Sequence, residues 1–80
     1  MNEIDALIAE LDRRIAYQTQ KVLTIGRRYV PYATDEDLRN SEDFQQLKDK
    51  PMYHFEEGTL TGLIEARFLL VTARRRMNEK

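Results

Sequence analysis

The 80-residue sequence contains no cysteine, which excludes disulfide frameworks, thiolate metal sites, cysteine nucleophiles and thiol-based redox switching. It also lacks an excess of either charge. Thirteen Lys and Arg residues against fourteen Asp and Glu residues give a net charge of −1. General affinity for nucleic acid is therefore disfavoured, because contact with the phosphate backbone usually requires a positive patch or stripe.

Long apolar runs are missing as well. The longest, Phe68–Val71, has four residues, against the roughly 18 that a membrane-spanning helix requires. The first residues, Met1 to Asp5, form neither a basic segment nor an apolar core of signal-peptide length. We therefore expect a cytoplasmic protein that makes no contact with a membrane.

Glycine and proline are scarce, and the two prolines divide the chain into a long first segment, a polar middle and a long last segment. The first segment has a spacing of alternately four and three residues, which is the heptad pattern of a helix facing a partner helix. Its members are Ile4, Ile8, Leu11, Ile15, Gln18, Val22, Ile25 and Tyr29. Asn2 is placed to cap this helix, and Pro31 disfavours helical geometry at Val30. The pattern predicts a helix over about residues 3–29.

The last segment predicts a second long helix over about residues 53–77. Its apolar side chains cover more than half of the helix circumference, which is wider than one packed face requires. They are Leu60, Leu63, Ile64, Phe68, Leu70, Val71, Ala73 and Met77. Such a helix needs two neighbours. One is the first helix, and a second subunit is the simplest source of the other.

Between the prolines, two sites look like helix N-caps followed by acidic first-turn residues. The first is Thr34 with Asp37, and the second is Ser41 with Glu42 and Asp43. We expect one or two short helices over about residues 35–49, which connect the long helices.

The predicted fold is all-α. One domain over residues 1–80 forms an antiparallel hairpin of two long helices, and two hairpins form a dimeric four-helix bundle. In the antiparallel arrangement Arg27 and Arg28 lie near Glu56 and Glu57. Arg74, Arg75 and Arg76 at the other end lie near Glu3, Asp5, Glu10 and Asp12. The residues expected at the subunit interface are Gly58, Leu60, Gly62, Leu63, Ile64, Ala66, Arg67, Phe68, Leu70 and Val71.

Gly58, Gly62 and Ala66 repeat every four residues and form a strip of small side chains. Glycine inside a helix costs about 1 kcal/mol relative to alanine, so we expect this strip to mark a close helix crossing. Gly62→Leu is then expected to destabilise the protein. Two tolerated glycines, or a ligand against the backbone, are the alternatives.

Two polar residues interrupt apolar positions. Arg67 lies within the apolar arc of the last helix, where it must pair with a carboxylate or extend to solvent; binding of an anionic ligand is the alternative. Gln18 lies in the heptad seam, where a single polar residue commonly fixes register.

Four aromatic residues, Tyr29, Tyr32, Tyr53 and Phe55, gather near the two prolines. Packing at the end of the hairpin is the first interpretation. The second is an exposed patch that binds a partner.

The sequence carries no serine–histidine–acid set and no glycine loop for phosphate, and one His–Glu pair, His54 with Glu57, falls short of a metal site. We therefore expect no catalytic residues, no metal and no cofactor. The favoured function is that of a non-enzymatic homo-oligomeric adaptor or regulator that binds a larger protein. One alternative is a metal- or anion-dependent enzyme with its site at the subunit interface, built from Arg67, Glu56, Glu57 and His54. Another is a DNA-binding regulator that uses the Arg74–Arg76 helix end.

Overall fold

The structure, a computed structural model, describes residues 2–40 and 44–79. It contains two long helices, α1 (Glu3–Tyr29) and α4 (Pro51–Asn78), and two short ones, α2 (Asp35–Arg39) and α3 (Gln45–Lys48). The long helices pack against each other in opposite directions, and the described residues contain no strand. The predicted all-α hairpin is therefore confirmed.

Helix α1 begins and ends where its sequence predicts. The side chain of Asn2 accepts a hydrogen bond from the backbone N–H of Asp5 at 2.8 Å, which satisfies one of the unpaired donors of the first turn. At the other end the N–H of Val30 donates to Gly26, and Pro31 follows. Local caps thus set both ends of this helix.

Helix α4 begins at Pro51, two residues before its predicted start. Proline is favoured at the first helical position, because its N–H would be unpaired there in any case and its fixed φ suits a helix. The proline that was expected to separate the middle segment from the last helix is therefore the first residue of that helix.

The connection consists of α2 and α3. Thr34 and Asp37 form a reciprocal capping box, in which each side chain accepts a hydrogen bond from the other's backbone N–H. The predicted second cap, Ser41 with Glu42 and Asp43, lies outside the described residues. Leu38 of α2 and Leu47 of α3 are buried and attach the connection to the end of the hairpin.

The core lies mainly at this connected end. It is formed by Val22, Leu23, Ile25, Val30, Ala33, Leu38, Leu47 and Tyr53. Tyr53 has no exposed surface, and its hydroxyl donates to the carbonyl of Leu38 at 2.8 Å. Toward the chain termini the seam is thinner, and Ile8 is the one buried apolar side chain among described residues 2–17.

Ion pairs follow the antiparallel arrangement at the terminal end. Arg74 pairs with Asp5 at 3.0 Å, and Arg67 pairs with Asp12. At the connected end Arg27 pairs with Asp35 of α2 at 3.2 Å instead of Glu56 or Glu57, whereas Arg28 lines the same groove as Glu56. The carboxylate of α2 lies closer to Arg27 than the next long helix does.

The hairpin measures 50 × 20 × 18 Å and contains a single pair of long helices. Within such a pair, each long helix covers only one side of the other. Within the described part of the chain, no helix combines the length and apolarity that crossing a membrane would demand.

Candidate interaction surfaces

A buried polar cluster joins α1 and α4 at the centre of the hairpin. Gln18, 6% exposed, donates from Nε2 to both the backbone oxygen and Oε1 of Glu56, each at 2.9 Å. Lys21 approaches Oε2 of the same carboxylate at 2.9 Å. The hydrogen bonds from Lys21 and then from Gln18 lower the pKa of Glu56, and Glu56 raises the pKa of Lys21. Both carboxylate oxygens of Glu56 have a partner on α1, so the cluster links the two helices.

The four residues of the alternative enzyme site do not meet within one chain. Glu56 faces Lys21, whereas Glu57 and His54 line the opposite side of the hairpin, with His54 Nδ1 3.9 Å from Glu57 Oε1. Arg67 lies three turns further along α4 and pairs with Asp12. Among the described residues no three His, Asp or Glu side chains are grouped as metal ligands.

The small-residue strip has no close neighbour inside the hairpin. Apart from the helix's own backbone, no atom of the described residues lies within 4 Å of where a Cβ on Gly58 or Gly62 would be. The close approach occurs instead at Gly26, where a Cβ would lie 2.8 and 2.9 Å from the Leu38 methyls and 3.1 Å from the Tyr53 ring. Within one subunit the close approach is therefore at Gly26, and a crossing of a second subunit at Gly58 and Gly62 stays a prediction.

The ten residues predicted at the subunit interface fall into three groups. Leu60, Leu63, Arg67 and Leu70 are half-buried and lie on the side of α4 that faces α1, so hairpin packing already uses them in part. Gly62 and Ala66 lie on one flank of that side. Gly58, Ile64, Phe68 and Val71 lie toward the other flank, where Gly58 and Ile64 line the same groove.

That other flank carries a second heptad pattern, which we call the outer seam. It comprises Glu57, Thr61, Ile64, Phe68, Val71 and Arg75, spaced alternately by four and three residues. Ile64 is 49% exposed and Phe68 is 68% exposed, so the described residues leave much of the centre of the seam uncovered. Helix α4 therefore has one heptad seam packed on α1 and a second one open.

An apolar groove of about 630 Å³ runs beside the outer seam between the two helices. Its apolar walls are formed by Ile15, Val22, Leu23, Leu38, Leu60 and Ile64. Asp35, Glu57 and His54 stand at its connected end. None of the described residues that line this groove is Lys or Arg, so desolvating it costs little beyond that end.

The opposite side of the hairpin carries a different groove, which we call the basic groove. One part, about 480 Å³, is lined by Lys21, Arg28, Met52 and Glu56 among others, and an adjoining part of about 450 Å³ is lined by Glu10, Arg13 and Arg14. Tyr17 lines both parts and is 70% exposed. Four cations thus face two carboxylates, and both carboxylates are already paired with three of them.

Only some members of the predicted aromatic patch are exposed at the surface. Tyr53 is buried in the core, so its assignment to an exposed partner patch was wrong; packing against Leu38 and Gly26 decides its position. Tyr32 and Phe55 are both 72% exposed. Tyr29 is partly exposed and lies under the ammonium of Lys50, 5.0 Å from the ring centre.

Sequence reasoning missed Gly26, Lys21 and the basic groove. Lys21 lies three residues after Gln18, a spacing that places both side chains on one face, and this was the available signal. Comparison with protein-family models, curated proteins and solved structures finds no significant match for the chain.

Proposed function

We propose that this protein is a non-enzymatic, homo-oligomeric helical adaptor of the cytoplasm, in which two hairpins form a four-helix bundle. The open outer seam of α4 is the observation that carries the proposal. Apolar heptad positions that face solvent are costly to leave uncovered, and in a bundle they are covered by another helix.

The available area supports a dimer. One broad face of the hairpin measures 50 by 20 Å, so it offers about 1,000 Å², whereas a stable interface buries roughly 800 Å² per partner. A second copy is the simplest molecule of matching length. Face-to-face packing would also cover the apolar groove beside the seam.

The basic groove remains free in such a dimer and is where we place the larger partner. Its exposed Tyr17 and Met52 offer apolar contacts, and Arg13, Arg14, Lys21 and Arg28 outnumber the two acids. This combination suits a segment that carries both acidic and apolar side chains. An adaptor of this design uses one face for itself and the other for its partner.

Size-exclusion chromatography with light scattering, run across a range of protein concentrations, tests the oligomer. A mass of twice 9.5 kDa at micromolar concentration is the expected result. A monodisperse monomer under those conditions would overturn the homo-oligomeric proposal.

Peptide display tests the partner class. Selection on the wild-type protein, with counter-selection on an Arg14→Glu, Arg28→Glu variant, is expected to enrich peptides that contain both acidic and apolar residues. Enrichment of basic peptides, or no difference between the two proteins, would contradict the assignment of the basic groove.

Thermal denaturation with divalent metals and nucleotides tests the enzyme alternative. A ligand at 100 times its dissociation constant adds about 2.7 kcal/mol to stability. We expect no such shift. A reproducible shift with one metal or nucleotide would favour an enzyme or ligand-binding protein instead.

A further inference from the structure

We infer that the second copy lays its α4 antiparallel to the first across the outer seam, with the two-fold axis at the level of Ala66, so that Ile64 packs against the partner's Phe68. This inference rests on the proposed function and deepens it. It specifies which surface of α4 associates, in which direction and in which register.

The order of residues along the seam carries the argument. Reading along α4, the outer seam begins with the acid Glu57, continues through Thr61, Ile64, Phe68 and Val71, and ends with the base Arg75. Its spacing of four, three, four, three and four reads the same in both directions. A second copy placed antiparallel therefore matches every position with one of its own.

In this register each seam side chain meets a partner side chain that it can pack against or pair with. Ile64 meets the partner's Phe68, Thr61 meets the partner's Val71, and Glu57 meets the partner's Arg75. Each contact occurs twice because the interface is isologous. The apolar contacts lie at the centre and the opposite charges lie at the rim, as in a typical interface.

Neighbouring registers are unfavourable. A shift of one heptad, which is two seam positions, toward the C-terminus places Ile64 against the partner's Arg75. A shift in the other direction places Glu57 against the partner's Phe68. Each brings a charge against an apolar side chain without a partner charge, which costs free energy. A parallel arrangement would place Arg75 against the partner's Arg75 and Glu57 against the partner's Glu57.

The shape of the hairpin also favours this face. The apolar groove lies directly beside Ile64 and Leu60, so the partner's Phe68 has space to enter between α1 and α4. The other flank of α4 carries Gly62 and Ala66, whose small size gives a second helix little to interlock with.

Disulfide cross-linking tests direction and register directly, because the natural chain has no cysteine. Thr61→Cys and Val71→Cys are made as separate proteins, mixed and oxidised. In the inferred register each Thr61→Cys lies beside a partner's Val71→Cys, within reach of a disulfide. The two copies of position 61 in one dimer, and likewise the two copies of position 71, lie about 15 Å apart along the helix axis. Only the mixed sample should therefore give a cross-linked dimer.

The outcomes separate this inference from the proposed function. Cross-linking of either variant with itself means a parallel dimer, or an antiparallel dimer with its two-fold axis at that residue, and either overturns the inference. A dimer by light scattering without a mixed cross-link means that α4 packs elsewhere or in another register, which overturns the inference but leaves the adaptor proposal standing. A monomer overturns both.

Charge reversal gives an independent test. Arg75→Glu is expected to weaken self-association by about tenfold or more, since it places two acids at each rim. Glu57→Arg in the same chain should restore it. Because Arg75 is exposed at the helix end, the folded hairpin should retain its helical circular dichroism. Unchanged association of the Arg75→Glu variant would contradict the inferred register.

Discussion

Gln18 and Glu56 are joined by two hydrogen bonds from a single side-chain nitrogen, one to the backbone oxygen and one to the carboxylate. The contact spans the two long helices near the middle of the hairpin. Sliding one helix along the other by a turn would break both bonds and leave buried polar groups unpaired. The one polar residue in the seam of α1 therefore fixes how α1 and α4 align.

This cluster predicts a loss of stability in acid. The pKa of Glu56 is lowered by hydrogen bonds from Lys21 and Gln18. A carboxyl group whose pKa is lower in the folded than in the unfolded state stabilises the fold above its ordinary pKa. That contribution is lost as the pH falls through the folded value. Urea denaturation of wild type should thus show falling stability below about pH 5.

Glu56→Gln should remove much of that pH dependence. Glu10→Gln is the matched comparison, since Arg13 also lowers the pKa of Glu10, but at a half-exposed position. Because solvent screens the charge at that position, Glu10→Gln should change the pH dependence of stability less than Glu56→Gln does. Equal pH profiles for wild type and Glu56→Gln would show that the cluster does not contribute.

Tyr53→Phe tests the core at the connected end. The substitution keeps the ring but removes the hydroxyl that donates to the buried carbonyl of Leu38. Leaving such an acceptor unpaired typically costs about 1–3 kcal/mol. Tyr32→Phe, at an exposed tyrosine, should change the free energy of unfolding by less than about 0.5 kcal/mol. Chemical denaturation measures the free energy of unfolding of both variants.

Alanine at the glycines should give effects of opposite sign. Gly62→Ala fills open space and gains helix propensity, so stability should rise by about 0.5–1 kcal/mol. Gly26→Ala would press on the buried Leu38 and the rigid Tyr53 ring. Overpacking of this kind costs about 1–3 kcal/mol, which exceeds the gain in propensity. Gly62→Leu should likewise stabilise the hairpin, contrary to the sequence-based expectation.

Two adjacent side chains distinguish self-association through the outer seam from nonspecific hydrophobic association. Phe68 and Leu69 are 68% and 67% exposed, but only Phe68 belongs to the seam. Phe68→Asp is expected to weaken self-association by at least about tenfold, because it places a charge at the apolar centre of the interface. Leu69→Asp should leave it nearly unchanged. Sedimentation velocity at several concentrations measures both, and equal effects would argue against a defined seam.

The fold was largely predictable because its signals are local and repeated. The heptad spacing of α1, the Asn2 cap and the Thr34–Asp37 box each depend on residues close together in the chain. The misses depend on neighbours far apart in sequence. Gly26 and Gly62 look alike as single helical glycines, and only the packing of Leu38 and Tyr53 distinguishes them. Glu56 was expected near Arg27 and Arg28, or in the alternative enzyme site, whereas its hydrogen-bond and ion-pair partners are Gln18 and Lys21.

The uneven distribution of the core has a kinetic consequence. Because most buried apolar side chains lie at the connected end, backbone amides there should open only with global unfolding, whereas those in the first turns of α1 and the last turns of α4 should exchange through local fraying. A second copy seated on Phe68 and Val71 would cover that weaker half. Association would then act as the final folding step, and the cellular concentration of the chain would determine how much of each helix persists.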